Sequence, residues 1–359
     1  MMGKVILACC GYSAPDGNDI LTAELERDGR TAVLSGIRQG DNPSFCLEHG
    51  GFLYTVSEGK GDALIQRYRM DGGALIPTAD RIRIPGGELC HLYAGQAALY
   101  ASCYETGDFC AVNYGLTEML WHRMPRPADR EETSEANAVG GKEDRQAGPH
   151  AHWITEWDGI LYLTDLGNDR IYRYRLKDGL PEEELSPLCL EKGAGPRQVL
   201  PFGEKDRILS VQELDGTLRL WQRRPAVKET PEGRAADAGG VLAAETEMVC
   251  VQKVRTTASG AENYPGTVCM ADENTVLVCN RGANTVAAFT LDENGLTYTG
   301  EWETGNWPRY IKKIPGTDLV VNACNEEGVL AVFAWEGGRL ERRGEIRLHG
   351  ASGVDICHI

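Results

Sequence analysis

Short stretches that alternate between apolar and polar positions recur along this chain. The runs RIYRYRL (170–176) and NTVAAFTL (284–291) are two of them. A period of two residues is typical of an antiparallel strand that buries one face. Dipeptides that favour tight turns, such as Asp158–Gly159, separate the runs. Helical periodicity is almost absent, so the pattern predicts an all-β protein.

One unit of turns and three short strands occurs six times. Its copies begin near residues 42, 88, 148, 195, 263 and 306, roughly 43 to 68 residues apart. This spacing predicts four-stranded antiparallel blades of a β-propeller with outer loops of variable length. The longer spacings coincide with 124–147 and 224–262, which are rich in charge, Gly, Ala and Pro. They are interpreted as an excursion between blades and the outermost strand of a blade, with no recognisable chemistry.

The two ends of the chain supply a seventh blade. Residues 350–359 resemble an inner strand, and 4–10 and 19–25 resemble the next two strands. A blade assembled from both ends closes the ring and removes the open sheet edges. The sequence therefore predicts a single domain over 1–359, a seven-bladed β-propeller closed by its N- and C-terminal strands. A pair of β-sandwiches is the alternative.

Charge and composition narrow the classes of partner. The net charge of −16 argues against unspecific binding to nucleic acid or to an anionic membrane surface. No run approaches the ~18 apolar residues that span a bilayer, and the N-terminus lacks the pattern of a signal peptide. Most of the twelve cysteines lie inside apolar runs, which predicts buried, reduced thiols and a cytoplasmic location.

Polar residues recur at equivalent positions of the repeats. In a propeller the innermost strands line a central channel, so residues at equivalent positions converge in space. The starts of the inner strands carry His91, His150, His152, Arg197 and Arg309. The ends of the second strands carry Glu58, Tyr104, Asp165, Glu213, Arg281 and Asn325. These side chains are predicted to form a channel site, with purely structural ion pairs between blades as the alternative.

Several phrases of the repeats carry a family resemblance. The sequences GPHAH, YLTDLGNDRIYRY, GAGPRQ, SVQE, VCNRGANTVAAF and WPR resemble those of the seven-bladed lactonase family. That family includes propeller-type 6-phosphogluconolactonases and carboxymuconate lactonizing enzymes. The similarity extends over nearly the whole chain and is strongest from 148 to 335. It implies a channel active site without metal or cofactor, acting on a small-molecule lactone or an anionic sugar acid.

The resemblance assigns roles to individual residues. It implies a catalytic set of His150 or His152, Arg197, Glu213 and Arg281. Substrate binding is predicted for the remaining channel positions, His91, Asp165, Gln198, Arg309, Glu58 and Tyr104. The sequence departs from the family where Gln198 replaces a histidine, where Gln212 precedes Glu213 in place of an asparagine, and where Gly266 replaces a glutamate.

This set of residue types suits lactone opening. A histidine that titrates near neutrality transfers protons, and arginines bind anions and stabilise developing negative charge. The same groups serve the reverse closure of an unsaturated diacid, so a muconate-type cycloisomerase stays open. A non-catalytic propeller that binds a partner protein or ligand is the other alternative. Two histidines with Asp165 also resemble a metal set, although the resemblance implies none.

Overall fold

The chain folds into seven four-stranded antiparallel sheets that form the blades of a closed ring. The computed structural model describes residues 4–124, 144–203, 206–225 and 246–357. Within these residues the inner strands of successive blades contact one another around the whole ring, and the last inner strand contacts the first. The predicted all-β, seven-bladed propeller is confirmed.

Blade 1 joins the two ends of the chain. Its inner strand is β28 (Ala351–Cys357), followed outward by β1 (Lys4–Gly11), β2 (Ile20–Glu26) and β3 (Thr31–Ile37). Cys357 pairs with Ile6 and Gly353 pairs with Cys10 in an antiparallel ladder. The predicted closure of the ring by the terminal strands is therefore correct.

The other six blades follow the chain in order, each from its inner to its outer strand. Blade 2 comprises β4 (Cys46–His49), β5 (Phe52–Gly59), β6 (Asp62–Asp71) and β7 (Ala74–Ile84). Blade 3 comprises β8 (Leu89–Ala94), β9 (Leu99–Cys103), β10 (Phe109–Val112) and β11 (Met119–Arg123). The short 3-10 helix Asp144–Gln146 then precedes blade 4, which comprises β12 (Ala151–Trp157), β13 (Ile160–Asp165), β14 (Arg170–Lys177) and β15 (Leu180–Cys189).

Blades 5 to 7 complete the ring. Blade 5 comprises β16 (Pro196–Pro201), β17 (Arg207–Gln212), β18 (Thr217–Pro225) and β19 (Thr246–Arg255). Blade 6 comprises β20 (Tyr264–Met270), β21 (Thr275–Arg281), β22 (Thr285–Asp292) and β23 (Gly295–Glu303). Blade 7 comprises β24 (Pro308–Lys313), β25 (Leu319–Cys324), β26 (Val329–Glu336) and β27 (Arg339–Arg347). The outermost strand predicted within 224–262 is β19.

The hydrophobic core lies between the blades. Each of seven clusters of buried side chains joins two neighbouring blades. Tyr100 and Phe109 of blade 3, for example, pack with Leu163 and Tyr172 of blade 4. Second strands such as β9 are buried along their whole length, whereas the outer strand β7 alternates between buried and exposed positions. Each blade therefore depends on both neighbours to bury its two faces.

A β-bulge recurs near the start of the inner strand. In blades 3 to 7 the pairing with the second strand shifts register at the same place of the repeat. A bulge leaves the extra residue outside the ladder and redirects its side chain. The residues at this position are Cys90, His152, Arg197, Gly266 and Arg309.

A left-handed backbone conformation precedes the inner strand in five blades. Three of these residues are not glycine: Asn42 (φ 53°), Glu88 (φ 51°) and Trp307 (φ 56°). Such a conformation is costly for a bulky side chain. Trp307 therefore adopts this turn conformation, which orients the following bulge, at an energetic cost.

Removal of β28 tests the closure. A chain that ends at Gly350 leaves the inner edge of β1 unpaired and exposes the clusters that join blade 1 to blades 2 and 7. We expect it to lose cooperative thermal unfolding and to aggregate, as measured by circular dichroism and light scattering. A chain that ends at Cys357 retains β28 and is the control. An unchanged melting curve for the shorter chain would contradict this role of β28.

Candidate active site

Equivalent positions at the ends of the second strands surround the channel mouth. In six blades the backbone amide of this residue donates to a carbonyl that precedes the inner strand of the same blade, as Glu213 N does to Gly195 O at 2.8 Å. In blade 6 the equivalent residue pairs with the first residue of the inner strand. The seven residues at this position are Tyr12, Glu58, Tyr104, Leu166, Glu213, Arg281 and Asn325. Their side chains stand beside those of the bulge residues.

The carboxylate of Glu213 is the centre of the site. It is fully buried, and its Oε2 lies 2.5 Å from Nη1 of Arg197 and 2.6 Å from Nη2 of Arg281. Its Oε1 lies 2.6 Å from Nη2 of Arg145. Burial by itself would raise the pKa of Glu213, but the charges of Arg281, Arg197 and Arg145 hold it well below its usual range. Glu213 is therefore ionised at neutral pH.

Two of these arginines are themselves buried. Arg197 and Arg281 have side chains only 5% exposed. Burial lowers the pKa of Arg197 to about 10, and nearby Arg281 acts in the same direction, so Arg197 stays protonated at neutral pH. Arg281 also donates to the carbonyls of Tyr264 and Pro265 at 2.9 and 3.2 Å. The predicted catalytic residues Arg197, Glu213 and Arg281 are thus in direct contact.

His152 is neutral and its tautomer follows from its partner. Its Nε2 lies 2.5 Å from Nη1 of Arg197. A guanidinium only donates, so Nε2 accepts and the proton of the ring is on Nδ1. Burial, with Arg197 next, lowers the pKa of His152 well below its usual value. Its Nδ1 is a buried donor without a partner in the described residues.

His150 is oriented in the opposite sense. Its Nδ1 lies 2.7 Å from the carbonyl oxygen of Tyr104, and its ring stacks on the Tyr104 ring with centroids 4.5 Å apart. A carbonyl only accepts, so Nδ1 carries the proton and Nε2 holds the free lone pair of the neutral ring. This Nε2 is buried without a hydrogen-bond partner in the described part of the chain. Of the two histidines, only His150 has a free basic nitrogen.

A second polar cluster involves blades 1, 2 and 7. Tyr12 Oη donates to Glu58 Oε1 at 2.7 Å, and Arg309 Nη2 lies 3.6 Å from the same oxygen. The Arg309 guanidinium also lies over the Tyr12 ring, 5.3 Å from its centroid. The other carboxylate oxygen of Glu58 is buried and has no partner in the described residues. The structure thus brings the predicted residues Glu58 and Arg309 into contact.

His91 lies one residue further along its inner strand than the position predicted for it. The register makes Cys90 equivalent to His152, and His91 equivalent to Trp153. The His91 ring stacks on Trp153 at 3.7 Å between centroids and packs against Phe45, and its Nδ1 accepts the amide hydrogen of Ile154 at 3.3 Å. Burial lowers the pKa of His91 well below its usual value. Substrate binding by His91 stays a prediction.

Asp165 is also displaced by one position. Leu166, not Asp165, is equivalent to Glu213, and the Asp165 carboxylate accepts bonds from the backbone amides of His150 and Asn168 and from the Asn168 side chain. Asp165 therefore orders the turn that carries His150, a position different from the predicted one at the channel mouth.

Gln198 joins two blades. Its side-chain amide donates to the carbonyl of Val268 at 3.2 Å and accepts from the amide of Val268 at 2.7 Å. The amide group predicted to bind substrate thus holds the inner strand of blade 5 to that of blade 6. Its contact with substrate stays a prediction.

Gly266 stands where the family resemblance implies a glutamate. A Cβ added there would lie 2.5 Å from the carbonyl oxygen of Arg309 and 2.8 Å from Sγ of Cys279. The close approach of the neighbouring inner strand therefore requires glycine at this bulge.

Two residues of the site were missed from the sequence. Arg145 lies in the excursion 124–147, for which no chemistry was expected, yet it contacts Glu213 and donates from Nε to Tyr104 Oη at 2.7 Å. Tyr12 lies in the N-terminal part, where the repeat is hardest to recognise. Its position after β1 is equivalent to that of Glu58 and Tyr104. Aligning the blade formed by the two chain ends with the other repeats would have placed Tyr12 at this position. Arg145 occupies no repeat position, so no such alignment could have found it.

Within residues 4–124, 144–203, 206–225 and 246–357 no group of three metal-ligating side chains is found, and Asp165 is directed into its own turn. No helix of these ranges is long and apolar enough to cross a membrane. Ten of the twelve cysteines are buried, as predicted. The cytoplasmic location stays a prediction.

The chain is similar to known proteins over nearly its whole length. Residues 6–354 match the family model described as lactonase, 7-bladed beta-propeller. The chain is 26% identical over 321 residues to the 6-phosphogluconolactonase of Bacillus subtilis (strain 168), which covers 83% of this chain and 82% of that protein. Among solved structures, a protein from Bacteroides fragilis NCTC 9343 aligns with a TM-score of 0.81 at 20% identity, with 99% of each chain covered. A periplasmic gluconolactonase from Pseudomonas aeruginosa aligns with a TM-score of 0.79 at 17% identity, also over 99% of each chain.

Two buried neutral histidines make the stability depend on pH. The folded pKa values of His91 and His152 are lowered, so below about pH 6.5 the unfolded chain binds protons that the native state does not. The free energy of unfolding should fall with decreasing pH by up to about 1.4 kcal/mol per pH unit for each histidine. We expect His91→Phe to reduce this slope by the contribution of one proton, in urea unfolding at pH 7.5, 6.5 and 5.5. The loss of the Ile154 bond changes the stability equally at each pH, and identical slopes would contradict the assignment.

Substitution of Gln198 separates its two roles. Gln198→Met leaves the amide and the carbonyl of Val268 buried without their partner, which should reduce the free energy of unfolding by about 1–3 kcal/mol. If the side chain only joins the blades, KM is unchanged. A raised KM without loss of stability would instead support the predicted contact with substrate.

Proposed function

Because the chain belongs to the seven-bladed β-propeller lactonase family, we propose that it hydrolyses the lactone of a phosphorylated sugar acid in its central channel. The activity named for the Bacillus subtilis relative, that of a 6-phosphogluconolactonase, is the model for this proposal. The observation that carries it is a set of buried polar atoms without partners in the described residues: His150 Nε2, His152 Nδ1, Arg197 Nε and Glu58 Oε2. Buried polar groups are normally hydrogen-bonded, so these atoms are suited to a polar ligand.

The charge of the two clusters favours an anionic substrate. Four arginines, at positions 145, 197, 281 and 309, face two carboxylates, Glu58 and Glu213. With His152 neutral, the clusters carry an excess of two positive charges in a protein whose net charge is −16. A phosphate monoester carries about two negative charges at neutral pH. Binding of a phosphate monoester would neutralise the excess positive charge of the two clusters.

The free lone pair of His150 suits the general base. In the proposed reaction Nε2 takes a proton from water as the oxygen attacks the lactone carbonyl. The Tyr104 carbonyl holds the ring through Nδ1 and stabilises the imidazolium that forms. Collapse of the tetrahedral intermediate breaks the ring C–O bond, and His150 returns the proton to the departing alkoxide. The product is the open hydroxy acid, which ionises at neutral pH.

The arginines suit stabilisation of the oxyanion. Arg197 has a buried Nε–H without a partner, and its charge is only partly balanced because Arg281 and Arg145 share the same carboxylate. The Nδ1–H of His152 is a second unpaired donor. Donors that are already in place when negative charge develops contribute most to such reactions. Glu213 fixes the guanidinium groups, and Glu58 Oε2 is suited to accept a bond from a hydroxyl group of the sugar.

Acid release from a panel of lactones tests the function. The purified protein should accelerate opening of 6-phosphogluconolactone above its spontaneous rate. His150→Gln should lower kcat by about 10²- to 10⁴-fold, because glutamine cannot take up the proton. His49→Gln is the matched control, since His49 is exposed and stacks on Tyr114 at the far end of blade 2. It should retain full activity.

Two results would refute the proposal. One is a wild-type protein that opens no lactone of the panel. The other is full activity of His150→Gln with an unchanged melting temperature. A muconate in the same panel tests the reverse closure of an unsaturated diacid.

A further inference from the structure

Arg145 differs from the other arginines of the site in origin and exposure. It belongs to the 3-10 helix Asp144–Gln146 between blades 3 and 4, not to a repeat position of a blade. Its side chain is 42% exposed, whereas those of Arg197 and Arg281 are 5% exposed. It is therefore the arginine of the Glu213 cluster that solvent and ligands reach most easily.

The Glu213 carboxylate can release Arg145 without losing its charge balance. Arg145 contacts Oε1, while Arg197 and Arg281 both contact Oε2. Because Arg145 is the most exposed of the three arginines, a ligand anion can replace its contact with Oε1 more easily than the contacts of the two buried arginines. Movement of the Arg145 guanidinium away from Oε1 leaves Glu213 with two buried cations.

The backbone that carries Arg145 is fixed. The adjacent Gln146 donates from Nε2 to the carbonyl of Leu166 and to the carboxylate of Asp169, both at 2.9 Å. Arg145 Nε donates to Tyr104 Oη at 2.7 Å, which sets the plane of the guanidinium. Within the described residues the bonds of the guanidinium are made by Nε and Nη2, so its Nη1 is available to an anion.

We propose that Arg145 is a specificity-determining residue that binds the anionic group of the substrate remote from the lactone carbonyl. On binding, this group takes over the contact that Arg145 makes with Glu213. The inference rests on the proposed function and assigns its selectivity for charged lactones to one side chain outside the blades. The anionic group that binds is a phosphate or a carboxylate at the end of the sugar chain.

Paired substrates test the inference. For Arg145→Met we expect KM for 6-phosphogluconolactone to rise about 10- to 100-fold, the loss typical of a charge-assisted hydrogen bond. KM for the uncharged glucono-δ-lactone, and kcat for both, should change less than about twofold. Arg145→Lys keeps the charge but not the fork of donors and should show an intermediate KM. Arg347→Met, at a side chain 87% exposed on β27, is the matched control and should behave as wild type.

Equal losses on both substrates would overturn the proposal, because Arg145 would then act through Glu213 and not on the anion. Unchanged kinetics on both would overturn it as well.

Calorimetric binding of 6-phosphogluconate and gluconate separates this inference from the proposed function. If the wild-type protein opens no lactone but binds 6-phosphogluconate, and Arg145→Met weakens that binding at least 10-fold, the anion site stands and the lactonase function fails. If neither acid binds to the wild type, the anion site is refuted. If lactones are opened but Arg145→Met binds 6-phosphogluconate as tightly as wild type, only the role of Arg145 fails.

Discussion

A buried carboxylate surrounded by arginines holds the channel site together. Glu213 has no exposed surface, so its charge is tolerated only because the two buried arginines, Arg197 and Arg281, lie within 2.6 Å of Oε2. Removal of one buried partner from such a group typically costs about 3–5 kcal/mol, whereas the half-exposed Arg145 adds a third contact at Oε1. The three arginines come from blade 5, blade 6 and the connection between blades 3 and 4, so the charge of the carboxylate is compensated only when these parts of the chain are packed together. In turn it orients the guanidinium groups that face the channel.

Some polar groups of the site are fully hydrogen-bonded, and others are buried without partners. Glu213 is fully paired, as a purely architectural ion pair would be, yet atoms of His150, His152, Arg197 and Glu58 remain buried without partners in the described residues. The two histidines of the sequence PHAH are also distinguished by their partners. His152 accepts from a guanidinium and is held neutral, whereas His150 donates to a carbonyl and retains a free lone pair. The same residue type is thus found in two different hydrogen-bonding arrangements two residues apart.

Two of the predicted site residues are displaced by one position. His91 follows the bulge residue Cys90, which is the equivalent of His152, and Asp165 precedes Leu166, which is the equivalent of Glu213. A shift of one residue moves a side chain to the other face of a strand. His91 therefore lies among aromatic rings below the site, and Gln198, at the same repeat position, joins two blades. Arg145 was missed for a different reason, since it follows no repeat and its segment has the composition of a surface loop.

Local sequence determined the strands, the six repeats, the joining of both chain ends in a seventh blade and the concentration of histidine, arginine and glutamate at the channel. These follow from alternation and repetition, which are properties of neighbouring residues. Only the tertiary structure decided which of those side chains touch, which histidine keeps a free nitrogen and which arginine stays exposed. Contacts between residues such as Arg145 and Glu213, 68 positions apart, depend on the pairing register and on the closure of the ring. Hydrophobic periodicity indicates which side of a strand is buried, but it does not indicate which charged residue from a distant part of the chain will contact that strand.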